Sequence, residues 1–190
     1  MSHRTRAAIL ISGRGSNMVA LIEAARSPDF PAEFVLVIAD REAEGLAKAA
    51  AMGVATKLIP WNRRSGEPLI LQSLAEAKVE LICLAGFMRL LSAEFVSQWQ
   101  HRILNIHPSL LPAFKGLDAI GQALNAGVRT TGVTVHHVIP AMDEGPIIAQ
   151  SEVPIRPDDT AETLAARIHQ AEHALYPAAV RKILGEQKAR

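Results

Sequence analysis

The sequence has a single cysteine, almost no net charge and no long hydrophobic run, and each of these absences excludes a class of protein. Cys83 has no partner within the chain, so an internal disulfide is excluded and a reducing, cytoplasmic compartment is expected. The formal net charge is +1, which argues against nucleic-acid binding because such surfaces depend on clustered Lys and Arg. The apolar run over residues 7–11 is too short for a signal peptide or a membrane span.

What the sequence does contain is typical of one ordinary globular domain. It has 190 residues, of which 49% are hydrophobic and 21% are charged, and a chain of this size can bury a full core. We find no internal repeat, low-complexity tract or linker that would divide it. We therefore expect a single domain over residues 1–190.

The first half of the chain alternates short apolar runs with segments of helical composition. Strands are predicted at residues 7–11, 33–39, 55–59, 81–85 and 103–107, with helices between them. The second of these, residues 33–39, is fully apolar in its centre, as is typical of a strand that is buried on both faces. The alternation predicts an α/β, Rossmann-like fold in which a mostly parallel sheet is flanked by helices.

The pattern changes after residue 107. Residues 131–138 and 145–153 are β-rich and no helix fits between them, which predicts an antiparallel strand pair in the C-terminal half. A terminal helix is expected over residues 160–184, interrupted at Pro177 and stopped by Gly185, with a loose polar tail after it.

The most informative stretch lies at the end of the fifth predicted strand. Asn105 and His107 are two residues apart, so on a strand both side chains leave by the same face. Pro108 then ends the strand. Asp143 opens a second polar cluster farther along the chain. An amide, an imidazole and a carboxylate are the components of an acid–base site that stabilises an oxyanion.

A glycine-rich turn, residues 13–17, joins the first strand to the first helix. Bare backbone N–H groups at a helix N-terminus form a phosphate cradle. A dinucleotide site is the alternative, because Asp40 stands where a ribose-binding carboxylate would. However, that motif needs a third glycine where this chain has Met18. The turn therefore fits one phosphate better than a pyrophosphate, and a tight turn with a helix cap also remains open.

Three other features each allow two interpretations. The pair His169 and His173, with Glu172, matches an inverted zinc-protease pattern, but a helix that offers Glu172 to a hydroxylated ligand is favoured. His136, on the same strand face as Thr134, is either a hydrogen-bonded histidine of the core or a further residue that lines the site near His107. A nucleophilic Ser109 is the hydrolase alternative, although a backbone-bonding serine in the loop is favoured.

Taken together, these motifs resemble the folate-dependent formyltransferases over nearly the whole chain. The resemblance rests on residues 11–17, 84–89, 104–112, 142–146 and 170–173. The glycine turn and the last of these segments are similar to the branch of the family that acts on glycinamide ribonucleotide. Arg14 and residues 116–120 depart from the family pattern, and no role is assigned to them.

The resemblance implies a role for most of the polar motifs. The catalytic residues would be Asn105, His107 and Asp143, and Thr134 and His136 would be candidates for lining the site. The ribonucleotide phosphate and ribose would contact Gly15, Ser16, Asn17, His169, Gln170 and Glu172. The folate would contact Met88, Arg89, Leu90, Leu91, Ile139, Pro140, Ala141 and Met142. Its tail would meet Arg63 or Arg64, of which Arg64 is the residue we predict.

The implied activity is formyl transfer from 10-formyltetrahydrofolate, a consumed cosubstrate, to the amine of glycinamide ribonucleotide in purine biosynthesis. No metal, nucleic acid or membrane is required, and a homodimer is compatible with the sequence. Two other hypotheses are kept. One is hydrolysis of the formyl-folate by water, and the other is a non-catalytic nucleotide-binding module built on the glycine turn.

Overall fold

The computed structural model describes residues 4–62 and 64–188, so Arg63 lies outside the described residues. Strands and helices alternate from the start of the chain. The elements are β1 (Thr5–Ile11), α1 (Ser16–Ala24), β2 (Ala32–Ala39), α2 (Glu44–Ala51), β3 (Ala55–Leu58), α3 (Gly66–Glu76), β4 (Leu81–Leu84), α4 (Ala93–Gln98), β5 (Ile103–His107), α5 (Ala119–Asn125), β6 (Thr130–His137), β7 (Ile147–Pro154) and α6 (Ala161–Lys188).

The seven strands form one sheet in the order β3-β2-β1-β4-β5-β6-β7. The pairs from β3 to β5 are parallel, whereas β6 runs antiparallel to both β5 and β7. This arrangement confirms the predicted mostly parallel sheet and the predicted antiparallel strands. The strand order reverses between β1 and β4, and the carboxyl ends at such a point form a ligand-binding crevice in open α/β sheets.

Helices cover both faces of the sheet, so that two apolar layers are formed. Ile9 and Ile11 of β1 face the layer that α1 and α6 cover, whereas Ala8 and Leu10 face the layer beneath α3 and α4. Successive side chains of a strand point to opposite faces. Because β1 is buried on both faces, its sequence is a continuous apolar run and does not alternate.

The pairing of β5 with β6 positions the residues of the central motif. Asn105 is the register partner of His136, and His107 is the partner of Thr134. Directly opposed residues of an antiparallel pair have neighbouring side chains on the same face. The fold thus brings a second imidazole next to the Asn105 amide.

The predicted interruption and end of the last helix were wrong. Helix α6 runs through Pro177 and past Gly185 to Lys188. A proline inside a helix costs about 3 kcal/mol. Beyond it, Val180, Ile183 and Leu184 are buried against the sheet, and each such side chain contributes about 1.5–3 kcal/mol. Burial therefore outweighs the cost of the proline, and tertiary packing keeps the helix intact.

No helix of the described ranges, 4–62 and 64–188, is both long and apolar enough to cross a bilayer.

Candidate active site

A cavity of about 510 Å³ lies beside the carboxyl ends of β4 and β5. The three side chains of the predicted catalytic set reach it from separate parts of the chain. Asn105 and His107 come from β5, and Asp143 comes from the loop between β6 and β7. The cavity wall also includes the predicted residues Met88, Arg89, Leu90, Leu91, His136, Ile139, Ala141 and Met142.

His107 lies beside Asp143 at the wall of this cavity. The His107 ring is buried, and its Nε2–H donates to the carbonyl oxygen of Phe114 at 2.8 Å. That bond leaves Nδ1 directed to the carboxylate of Asp143, whose Oδ2 is 3.6 Å away. A neutral ring protonated on Nε2 would present a bare lone pair to this carboxylate. The geometry therefore favours a proton on Nδ1.

The carboxylate of Asp143 is held by the turn that carries it. Its Oδ2 accepts a hydrogen bond from the backbone N–H of Gly116 at 2.8 Å, and Asp143 itself has a left-handed backbone with φ 55°. Two residues on, a Cβ added at Gly145 would lie 1.6 Å from the carbonyl oxygen of His137. Only glycine allows that close approach, so Gly145 fixes the turn against β6.

The Asn105 amide is oriented by His136. The His136 ring is buried and its Nδ1–H donates to the carbonyl oxygen of His137 at 2.9 Å. Its Nε2 therefore accepts from Asn105 Nδ2, 3.3 Å away. Burial lowers the pKa of His136, although the bond to His137 and the charge of Asp143 act in the opposite direction. A neutral His136 can accept this bond, and it thereby fixes the amide with its nitrogen toward the imidazole.

The glycine turn forms a second polar region next to the first. Gly15 caps α1 with a left-handed φ of 72°, and a Cβ there would lie 3.0 Å from Met18 Cε and 3.3 Å from Gly45 Cα. Met18 is fully buried in this contact. The turn is therefore packed against the start of α2, and the exposed Ser16 opens the helix.

Helix α6 contributes a buried carboxylate to this second region. Asn17 Nδ2 donates to Glu172 Oε2 at 2.9 Å. Burial raises the pKa of Glu172, while the bond from Asn17 and the charges of His169 and His107 act to lower it. Tyr176, one turn farther along α6, contacts the carbonyl oxygen of Leu104 next to Asn105, so this helix passes close to the strand that carries the catalytic set. His169 and Gln170 lie on the exposed side of the helix.

Three of the residues predicted for the catalytic or folate part of the site do not line the cavity. Thr134 is fully buried behind it, where its hydroxyl donates to the Ser109 carbonyl and accepts from Leu111 N–H. Those bonds use the hydroxyl to hold the loop, and the lining role of Thr134 stays a prediction. Pro140 and Arg64 are exposed outside the cavity wall, because the loops that carry them turn outward into solvent.

The structure also bears on the alternative interpretations. The Ser109 hydroxyl donates to the Ala113 carbonyl at 2.5 Å and the residue is fully buried, so it is a loop-bonding serine. Asp40 is buried in an ion pair with Arg89. Burial alone would raise the pKa of Asp40, but hydrogen bonds from Arg89, Ser12 and Arg41 lower it. This carboxylate is already hydrogen-bonded and ionised, which argues against its binding the ribose of a dinucleotide.

The histidine pair on α6 forms no closed metal site. The rings of His169 and His173 are stacked with their centroids 6.4 Å apart, and Glu172 is turned away toward Asn17. Within the part of the chain that the structure describes, no three His, Cys, Asp or Glu side chains are grouped so that they could hold a metal ion. The spacing of these residues therefore does not indicate a metal site, and Glu172 is buried as the hydrogen-bond partner of Asn17.

Sequence reasoning missed the segment that supports the catalytic pair. Phe114 and Gly116 supply the backbone groups that bind His107 and Asp143. Gly116, with φ 77°, could have been proposed as a turn residue, but nothing in the sequence indicates the left-handed φ of 54° at Phe114. The apolar wall formed by Leu117, Ile120 and Val138 was also not foreseen.

The chain is similar in sequence and in structure to known formyltransferases. The family model described as formyl transferase matches residues 5–180. A phosphoribosylglycinamide formyltransferase of Bacillus subtilis is 40% identical, and the match covers 94% of each chain. The crystal structure of a phosphoribosylglycinamide formyltransferase from Brucella melitensis is 53% identical, with a TM-score of 0.92 over 96% of each chain. A trifunctional purine biosynthetic protein of Gallus gallus is 46% identical over 96% of this chain, which spans only 19% of that relative's length.

Proposed function

This chain belongs to the formyl transferase family, and from that premise we propose that it transfers a formyl group from 10-formyltetrahydrofolate to the amine of 5-phosphoribosylglycinamide. That reaction is a step of de novo purine biosynthesis. The observation that carries the proposal is the approach of His107 Nδ1 to Asp143 at 3.6 Å in a cavity whose wall residue Met88 is bonded to Ser12, directly before the glycine turn. An acid–base pair and a candidate anion site thus lie at the same edge of the sheet, two strands apart.

The chemistry requires charge stabilisation at the formyl oxygen. The neutral amine attacks the formyl carbon, and the resulting tetrahedral species carries a developing oxyanion. Asn105 uses one hydrogen of Nδ2 to bind His136, and we assign the second hydrogen to the oxyanion. His107, protonated on Nδ1, is the second donor. Removing one such donor typically lowers the rate by about 10²–10³-fold.

Proton transfer completes the reaction. The attacking nitrogen must lose a proton, and the folate nitrogen leaves readily only if it gains one. Asp143 and His107 face each other at the cavity wall, so this pair can take the first proton and return it to the leaving group. No step requires a metal ion, and we expect a chelator to leave turnover unchanged.

The two ends of the substrates fit the rest of the site. The N-terminus of α1, at Gly15 and Ser16, suits the ribonucleotide phosphate. Within the described residues, Asn17 Oδ1 is buried without a hydrogen-bond partner, and a ribose hydroxyl held beside Glu172 would satisfy it. The exposed apolar side chains of Met88, Leu90 and Met142 suit the flat pterin at the cavity mouth.

A spectrophotometric assay tests the proposal. The protein is mixed with a 10-formyl-folate analogue and 5-phosphoribosylglycinamide, and deformylated folate is followed together with formate. Transfer predicts deformylated folate only when the amine is present, with no free formate. Glycinamide without the ribose phosphate is the matched control substrate and should react far more slowly.

The other outcomes would contradict the proposal. Formate release at equal rate with and without the amine would indicate hydrolysis by water. No reaction, combined with calorimetric binding of NAD that is independent of folate, would indicate a nucleotide-binding module. Light scattering in solution measures the oligomeric state, for which we expect a monomer or a homodimer.

A further inference from the structure

One short segment of backbone contacts both members of the acid–base pair. The carbonyl of Phe114 accepts from His107 Nε2 at 2.8 Å, and the N–H of Gly116 donates to Asp143 Oδ2 at 2.8 Å. These bonds set the ring orientation of His107 and the direction of the carboxylate. The relative placement of the two catalytic side chains therefore depends on the shape of residues 114–116.

That shape is not one the backbone adopts on its own. Phe114 has φ 54°, Gly116 has φ 77° and Asp118 has φ 55°, so three of five consecutive residues are left-handed. Such conformations cost of order 1–3 kcal/mol for residues other than glycine and persist only where the surroundings hold them. Something outside the segment must therefore hold it.

The side chain of Gln122 makes the connection. Its Nε2 donates to the carbonyl oxygen of Lys115 at 3.1 Å and to that of Leu117 at 2.8 Å. Both hydrogens of the amide nitrogen are thus bound to carbonyls on either side of Gly116. A single side chain thereby ties two points of the segment to α5.

Helix α5 is a fixed support for this contact. Its N-cap is Asp118, whose Oδ1 accepts from the N–H of Gly121 at 3.2 Å. Ala119 and Ala123 are buried beneath it, so the helix cannot slide without opening the core. The position of Gln122 is therefore determined by packing, and the segment takes its position from Gln122.

We propose that Gln122 is a positioning residue for the His107–Asp143 pair, and this inference rests on the proposed formyl transfer. It contacts the segment and not the reacting atoms, so it acts on catalysis through Phe114 and Gly116. Loss of its two donors releases the segment, and His107 then loses the acceptor that holds its proton on Nε2.

The test compares Gln122→Glu with Asn125→Asp. The first substitution keeps the shape of the side chain but replaces two donors by a carboxylate facing two carbonyls. The second introduces the same charge on the same short helix, at an exposed position. We expect kcat of Gln122→Glu to fall about ten- to a hundredfold, as for a small misplacement of catalytic groups. KM for both substrates should change less than kcat, since only the wall residues Gly116 and Leu117 move with the segment. The Asn125→Asp variant should match the parent protein.

A second readout does not depend on activity. In protein labelled with ¹⁵N-histidine, the ring shifts of His107 report which nitrogen carries the proton. In the parent protein Nε2 should carry a proton that faces Phe114, whether or not Nδ1 is also protonated, and Gln122→Glu should lower the fraction of rings protonated on Nε2. Gln122→Lys keeps hydrogen-bond donors at this position, so both kcat and the protonation of the His107 ring should be close to those of the parent protein.

The outcomes separate this inference from the proposed function. If the parent protein lacks transferase activity, the proposed function fails, and the protonation of His107 Nε2 alone then decides the role of Gln122. If Gln122→Glu keeps the parent kcat, or loses activity with unchanged protonation of His107 Nε2, the positioning role is overturned. A fall in thermal stability without a change in that protonation would also overturn it, because Gln122 would then be only structural.

Discussion

The imidazole Nδ1 of His107 lies 3.6 Å from Oδ2 of Asp143, and the two side chains are only 7% and 9% exposed. The distance is slightly too long for a direct hydrogen bond, and a small movement of either side chain would close it. Because both groups are withdrawn from water, their interaction is weakly screened. This relationship is the basis of the proposed acid–base chemistry.

Replacing Asp143 by Asn should therefore depress turnover. The amide keeps the size of the side chain and can still accept from Gly116 N–H, but it can no longer accept a proton or stabilise a charged imidazole. We expect kcat to fall about 10²–10⁴-fold, the usual contribution of a positioned acid–base group. Asp158→Asn, at an exposed position, is the control. Steady-state kinetics of the formyl transfer decide the matter, and wild-type kcat in Asp143→Asn would remove the carboxylate from the scheme.

Removing the Asn105 amide should affect the transition state more than substrate binding. In Asn105→Ala the proposed oxyanion donor is lost, so kcat should fall by about 10²–10³-fold while KM changes little. Replacing the partner, in His136→Phe, should reproduce part of this loss because the amide is then free to rotate. A change confined to KM in both variants would show that Asn105 binds substrate and does not stabilise the oxyanion.

Replacing Glu172 by Gln should increase stability at neutral pH and weaken the binding of the ribonucleotide. Burial raises the pKa of this carboxyl in the folded protein above its ordinary value of 4.5. The unfolded chain therefore loses its proton first, and folding stability contributed by this group is lost as the pH rises from about 4.5 to the folded pKa. The uncharged amide avoids that cost and can still accept from Asn17.

Thermal unfolding of the two proteins at pH 5 and pH 8 measures the effect. The stability advantage of Glu172→Gln should be larger at pH 8, and KM for 5-phosphoribosylglycinamide should rise. An equal advantage at the two pH values would contradict the raised pKa. Glu162→Gln, exposed in the first turn of the same helix, is the matched control.

Two glycine-to-alanine substitutions should have opposite signs. In Gly145→Ala the new methyl group would lie 1.6 Å from the His137 carbonyl oxygen, so the Asp143 turn must move, at a cost of about 1–3 kcal/mol or more. Gly185 lies within α6, and a Cβ added there meets nothing within 4 Å. Gly185→Ala should therefore stabilise the protein by about 0.5–1 kcal/mol.

Chemical denaturation of both variants checks this pair of expectations. Activity should be lost in Gly145→Ala and retained in Gly185→Ala. Destabilisation by Gly185→Ala would show that α6 ends before this residue in solution.

Much of the fold could be predicted because most of its strands are short, continuous apolar runs separated by helical segments. Buried parallel strands need no alternation, so β1, β2, β4 and β5 stand out in the sequence. The failures have a common cause. Pro177 and Gly185 are local signals against a helix, and the burial of one face of α6 on the sheet overrides both.

The candidate site was likewise predicted only in part. The spacing of Asn105 and His107 places them on one strand face, and a glycine turn before a helix indicates an anion site. Thr134 has the same strand periodicity, yet its hydroxyl is consumed by Ser109, Leu111 and Gln150 behind the cavity. Periodicity predicts the face of a residue but not the bonds that its side chain makes there.

The sequence by itself determined the parallel α/β sheet, the shared direction of Asn105 and His107, and the glycine turn at the start of α1, because each depends on neighbours in the chain. Only the tertiary structure decided the approach of Asp143 to His107, the contact of Asn17 with Glu172, and the backbone contacts from residues 114–116. Those contacts join segments far apart in sequence, and they depend on how helices and loops pack on the sheet, which no local pattern encodes.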